Sequence, residues 1–184
     1  MPTDRVAYAN GLRFHYLDHG VAGAPPLLLI HGAAQTAHSF DEVAPDLARD
    51  HHVACMDQRG HGDTDWAPRY RREDFVADLG GLLDRLRWRR ATLVAMSLGG
   101  LNALAFAARH PERVRALVLV DVVPSVAPQG AADIGKQLSV REFPSFDAAV
   151  EMAHAFNPRR TLANLRERLS HSLRPLPDGR WTYK

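Results

Sequence analysis

Residues 93–121 read LVAMSLGGLNALAFAARHPERVRALVLVD. An apolar run stops at a serine, two glycines follow, an alanine-rich stretch continues, and a second apolar run ends in aspartate. No other feature of the chain restricts its fold as strongly. Short continuous apolar runs bounded by turn residues read as strands buried on both faces, and the stretch between them reads as a helix. Two such strands joined by a helix make a βαβ unit, which calls for a parallel sheet covered on both sides.

The same alternation runs back toward the N-terminus. GLRFHYLDHG, between two glycines, alternates apolar and polar residues as a half-buried antiparallel strand does. PPLLLIHG and HHVACMD read as central strands, with QRGHGDTD a loop after the second. SFDEVAPDLARD sets Phe40, Val43, Ala44 and Leu47 on one helical face. Between Arg72 and Trp88, Phe75, Val76, Leu79, Leu82, Leu83 and Leu86 form one wide apolar stripe, an amphipathic helix. LGGLNALAFAARH is apolar on nearly every side, which predicts a buried helix ending at Pro111. The expected fold class is α/β, a doubly wound and mostly parallel sheet. Past Asp121, VVPSVAPQGAADIG is turn-rich, SFDAAVEMAHAF and TLANLRERLSHSL read as helices, and PLPDGRWTYK ends extended.

Ser97 stands at a strand-to-helix junction inside Ala95-Met96-Ser97-Leu98-Gly99. Small residues on either side let strand and helix pass closely while the turn thrusts the hydroxyl outward. Such a turn strains the serine backbone, and the helix beyond it aims unpaired N–H groups at the same point. This is the arrangement of a nucleophile. A plain helix N-cap is the other role a serine takes there.

Composition removes other classes. The net charge of +2 and scattered arginines do not make a nucleic-acid surface. The one cysteine, Cys55, lies in an apolar run and reads as a buried inert thiol. The ten histidines show no zinc spacing, and SLGGL lacks the lysine of a phosphate loop, so neither metal nor cofactor is expected. No apolar run approaches a membrane span, and MPTDRVAYANG has no signal core; a cytoplasmic location follows as the expectation. Oligomeric state is not written in these patterns.

LLLIHGAAQTAHSF, MDQRGHGDTDW and VAMSLGGLNALAFAARHPERVRALVLVDVVP together resemble the α/β-hydrolase fold superfamily, in its branch of capped serine hydrolases. The resemblance implies Ser97 as nucleophile, with oxyanion-binding backbone N–H groups from Leu98 and from Ala33. It implies a structural role for His31, a loop held by Asp57, Arg59 and His61, and an aromatic at Phe40. Thr64 stands where serine is usual, and Ala95 where glycine is. Residues 1–123 would be the core through its sixth strand, and residues 124–184 the start of a helical cap. Asp121, at the end of strand six, is either a catalytic acid or a carboxylate at the pocket edge.

The family's acid ordinarily follows strand seven and its histidine strand eight. Neither strand is found in the sequence. His110 ends the buried helix and reads as a partner of its last carbonyls, while His154 and His171 sit in cap-like helices and read as surface or packing residues. Leaving Leu117–Val120 on an uncovered edge strand forfeits roughly 1.5–3 kcal/mol per side chain, against roughly 5–15 kcal/mol for a whole domain. The expectation is therefore a C-terminally truncated hydrolase. The implied function is cofactor-independent acyl transfer on a small ester-like substrate; the alternative is a non-catalytic ligand-binding module that lacks the histidine.

Overall fold

In the computed structural model the described residues are 1–21, 23–122 and 139–184. The chain divides into two compact units, Met1–Val122 and Val123–Lys184.

The first unit is built on six strands: β1 (Thr3–Ala9), β2 (Leu12–His19), β3 (Pro26–Ile30), β4 (His52–Met56), β5 (Ala91–Met96) and β6 (Val114–Val120). They lie in the order β1-β2-β4-β3-β5-β6. β3 pairs in parallel with β4 and β5, and β5 with β6, while β1 and β2 add an antiparallel edge. The doubly wound, mostly parallel sheet expected from the sequence is thus present. The chain first steps from β3 outward to β4, then crosses back to lay β5 on the other side of β3. Strand order reverses between β3 and β5, and open α/β sheets bind ligands at the carboxyl ends of such a pair. Those two ends carry His31-Gly32-Ala33 and Ser97.

Helices α1 (Ala44–Leu47), α2 (Arg72–Arg85) and α3 (Leu98–Arg109) connect the strands. α2 buries Phe75, Val76, Leu79, Leu82 and Leu83, the stripe read from the sequence. Together with α3, which contributes Phe106, it covers one sheet face, packing on Phe14, Leu28, Ile30 and Leu93. The other face holds Leu17, Leu27, Leu29, Val53 and Cys55 against Ala37, Phe40 and Ala44. Cys55 is buried, and burial pushes its thiol far above its ordinary pKa, as an inert packing residue requires.

Four expectations need correction. A strand at Thr3–Ala9 was not anticipated, because only Ala7 and Ala9 of it are buried. Its signal was the turn Asn10-Gly11, both at positive φ (51° and 77°), which closes a β1–β2 hairpin. β2 is more than half-buried, since Phe14 through Leu17 are all covered. SFDEVAPDLARD does not form one helix. Pro45 restarts it as the short α1 after a 3-10 turn at Ala37–Phe40, and Val43 is exposed. Finally, α3 is not buried all round: Leu101 and Leu104 are 41% and 46% exposed, while Asn102 is fully buried. In α3 the glycines, Ala103 and Phe106 meet the sheet, and nothing described covers the opposite side.

The second unit has its own small core of Phe143, Ala149 and Leu173. The helices α4 (Phe146–Phe156) and α5 (Leu162–Ser172) appear where the sequence placed them, capped by Ser145 and Thr161. Strands β7 (Glu142–Phe143), β8 (Leu173–Pro175) and β9 (Trp181–Tyr183) form a three-stranded antiparallel sheet in the order β7-β9-β8. Only the extended ending was expected of it. The turn-rich reading of VVPSVAPQGAADIG falls, after Val122, outside the described residues. Among the described residues no helix is long and apolar enough to cross a membrane.

Candidate active site

Ser97 occupies the single residue between β5 and α3. Its backbone sits at φ 48° and ψ −116°, a conformation that costs a non-glycine residue about 1–3 kcal/mol. The fold holds it there by two backbone bonds: Ser97 N–H donates to Val120 O of β6 (2.9 Å), and Ser97 O accepts from Leu101 N–H (3.0 Å). The hydroxyl makes no capping bond, so the N-cap role is set aside. Among the described residues the hydroxyl has no hydrogen-bond partner. The close approach depends on glycine. At position 99 a β-carbon would lie 2.7 Å from Ile30 O and would also strike the His31 carbonyl. At position 100 it would sit 3.1 Å from Ala95 O.

The loop after β3 lies against this turn. A β-carbon at Gly32 would stand 3.3 Å from Ser97 Cβ and 3.3 Å from Gln35 Oε1. Gly32 N–H donates to that same Gln35 oxygen (3.1 Å). His31 is fully buried. Its Nδ1 faces the Gly32 carbonyl at 2.7 Å, and its Nε2 accepts the Gln58 backbone N–H at 3.0 Å. A carbonyl only accepts, so Nδ1 carries the proton and the ring is neutral. Burial, assisted by nearby His61, lowers its pKa to about 4. With both nitrogens engaged, His31 is a structural histidine. The Gly32 carbonyl is turned toward His31, so the Ala33 N–H of the same trans peptide points the opposite way. Among the described residues neither Ala33 N–H nor the Leu98 N–H of the first helical turn donates to the protein.

The 57–64 loop is held, as its motif implied. The buried Asp57 accepts Ala37 N–H (2.6 Å) on one oxygen, and Asp63 N–H (3.0 Å) and His15 Nδ1 (2.7 Å) on the other. Burial works against the Asp57 carboxylate, but His15 and the two N–H groups outweigh it and hold its pKa low. Burial likewise opposes charge on His15, yet Asp57 and Asp4 overcome it and raise its pKa. Arg59 grips Asp78 of α2 through two bonds (2.5 and 2.8 Å), and His61 bonds the Arg59 carbonyl (3.0 Å). Thr64 replaces serine without loss: its hydroxyl donates to Asp57 O (2.8 Å) and accepts His15 N–H (2.9 Å). His15, Asp57 and Asp63 bring ligand atoms within 4.8 Å of one another, but these bonds already account for the group.

The register Met96↔Val120 sets Asp121 at the strand end beside Ser97, exposed and at φ 55°. His110 closes the opposite end of α3, about 18 Å of helix away, and leans on Phe106. His154 and His171 belong to the second unit, on α4 and α5; His154 faces the Arg160 carbonyl (3.1 Å). Sequence reasoning missed Gln35, Gln58 and Asn102, polar side chains turned inward around the loop. Asn102 had a signal, an amide in an otherwise apolar helix.

Comparison with known proteins follows the same outline. A family profile described as alpha/beta hydrolase fold matches residues 25–183. The chain is 34% identical over 170 residues to esterase Rv0045c of Mycobacterium tuberculosis, covering 88% of this chain and 56% of that protein. It is 31% identical over 116 residues to epoxide hydrolase 4 of Mus musculus, covering 61% and 32%. The crystal structure of an alpha/beta hydrolase from Novosphingobium aromaticivorans superposes with a TM-score of 0.85 at 30% identity, over 100% of this chain and 68% of that one. The chain thus spans about half the length, or less, of these two curated relatives.

Proposed function

The chain belongs to the alpha/beta hydrolase fold family, and from that premise we propose that the whole protein is a cofactor-independent serine hydrolase acting on a small ester-like substrate in the cytoplasm. One observation carries the proposal. Ser97 is held in a strained turn, spends its hydroxyl on no cap, and faces a loop that only glycine lets approach. A serine rather than an aspartate at this position favours acyl transfer over epoxide opening, and the esterase relative supports the ester carbonyl.

The Ser97 oxygen attacks the carbonyl carbon, its proton passing to a histidine that the family resemblance places after an eighth strand. The oxyanion forms between Ala33 N–H and Leu98 N–H, each such donor being worth about 10²–10³ in rate. Expulsion of the alcohol, protonated by the same histidine, leaves an acyl-serine, which water then cleaves. Asp121, at the neighbouring strand end, is the carboxylate we assign to orient that histidine or to line the pocket. Residues 124–184 are taken as the start of a helical cap.

Hydrolysis of a p-nitrophenyl ester by the full-length protein tests this. Ser97→Ala should lower kcat by at least about a thousandfold, and undiminished turnover would overturn the assignment. The unpartnered Ser97 hydroxyl also favours a second reading, a ligand-binding module without turnover. Rapid fluorophosphonate labelling of Ser97 in residues 1–184 would exclude it.

A further inference from the structure

We infer that Gln58, Asn102 and Arg72 are positioning residues, a buried polar relay that fixes the His31–Ala33 loop against the helix carrying Ser97. The inference rests on the serine-hydrolase reading of that site. It starts from a residue the fold alone does not need. Asn102 is fully buried, in a helix whose other buried residues are glycine, alanine and phenylalanine. A buried amide is costly unless all its polar atoms are engaged. Here they are. Asn102 Oδ1 accepts from Arg72 Nη1, and Asn102 Nδ2 donates to Gln58 Oε1 at 2.7 Å. Gln58 Nε2 in turn donates to the His31 carbonyl at 2.7 Å, while the Gln58 backbone N–H holds His31 Nε2 at 3.0 Å.

The relay has one possible direction. A guanidinium can only donate, so it dictates that Asn102 presents its oxygen to Arg72 and its NH₂ to Gln58. Gln58 must then accept on Oε1, which turns its NH₂ to His31 O. Reversing either amide would set donor against donor. The charge on Arg72 therefore orders each group up to His31, whose remaining N–H fixes the Gly32 carbonyl and with it the Ala33 N–H.

The same atoms set a distance. Ala33 and Leu98, the two proposed oxyanion donors, lie on separate segments, so their spacing depends on how the loop is tied to α3. Gly99 of α3 packs against the His31 carbonyl. Asn102, one turn further along that helix, holds that carbonyl through Gln58. Packing sets the nearest approach, and the relay prevents retreat. Oxyanion donors act only near 2.7–3.1 Å, so a small retreat reduces transition-state binding more than substrate binding.

Asn102→Leu removes the relay while keeping the branched shape of the side chain, Arg72→Met removes its charged end from a partly exposed position, and Arg72→Lys restores a donor. In the full-length protein, kcat on a p-nitrophenyl ester should fall about 10–100-fold in Asn102→Leu with KM within about threefold, and several-fold in Arg72→Met. Arg72→Lys should recover most of the Arg72→Met loss. A second readout does not need activity: NMR of the His31 Nδ1–H. Its exchange with solvent should accelerate about tenfold or more in Asn102→Leu and Arg72→Met, with β3 and β5 amides unchanged. Unchanged His31 exchange overturns the relay, as does uniform acceleration of all amides, the mark of a merely structural loss. Altered exchange with unchanged Ser97-dependent kcat overturns the positioning role. Turnover that survives Ser97→Ala overturns the serine-hydrolase reading instead, and the exchange result then decides whether the relay orders the loop.

Discussion

Gly99 and Gly32 stand at the same corner and differ in what a methyl group would meet. At Gly99 it meets backbone carbonyls of β3 and its following residue, which cannot yield. Gly99→Ala is expected to cost about 1–3 kcal/mol or more, read as a lower urea midpoint at unchanged slope. At Gly32 the methyl meets Ser97 Cβ and the end of the Gln35 side chain at 3.3 Å, and the side chain can shift. Gly32→Ala should therefore cost little stability and yet slow Ser97 labelling by a fluorophosphonate severely. The histidines give the pH dependence. His31 has a folded pKa of about 4, below the ordinary 6.5, so the unfolded chain takes up its proton first as pH falls. Its contribution is complete above pH 6.5 and is lost toward about pH 4, on the order of 3 kcal/mol in all. His15 works the other way. Its pKa is raised, so the stability it supplies is complete below pH 6.5 and fades as pH rises through its folded value. Melting temperature should peak near pH 6.5 and fall on both sides. His15→Gln should flatten the alkaline side alone.

Among the elements, β6 and α3 carry the apolar surface that packing leaves open. Val118, Leu119 and Val120 are 47%, 39% and 43% exposed, and Leu101 and Leu104 of α3 are similarly bare. β6 is the outer strand of its sheet among the described residues. A long apolar outer strand is a template for association. The isolated 184-residue chain should bind a hydrophobic dye and self-associate at micromolar concentration, and Val118→Lys with Val120→Lys should suppress both in light scattering. A chain that stays monomeric and dye-free would refute this. These elements also show where periodicity misleads. LGGLNALAFAARH reads as buried all round because apolar residues occupy every side, but a pattern reports what a face could bury, not what lies against it. β1 escaped notice for the opposite reason: its exposed side and edge position leave two alanines as its only buried residues, and the Asn10-Gly11 turn was the better signal.

In the whole molecule, Met1–Val122 and Val123–Lys184 each have a core of their own. Phe143 is buried at 3% exposure with Tyr183 edge-on at 5.6 Å, the centre of the smaller core. Phe143→Ala should cost about 3–5 kcal/mol, enough to unfold so small a unit. NMR should show its resonances collapse while those of Met1–Val122 keep their positions; loss of both sets would mean that the units fold as one. The sequence by itself determined the βαβ order, the helices α2 to α5, the serine at a strand-to-helix corner and the loop held by Asp57 and Arg59. Each is encoded locally, in periodicity, in small residues beside Ser97, and in a motif whose members lie within a few positions. Tertiary structure alone decided that Gly32 presses on Ser97, that Asn102 reaches His31 through Gln58, and which side of α3 is covered. Those contacts join residues far apart in the chain, and only strand order and register bring them together.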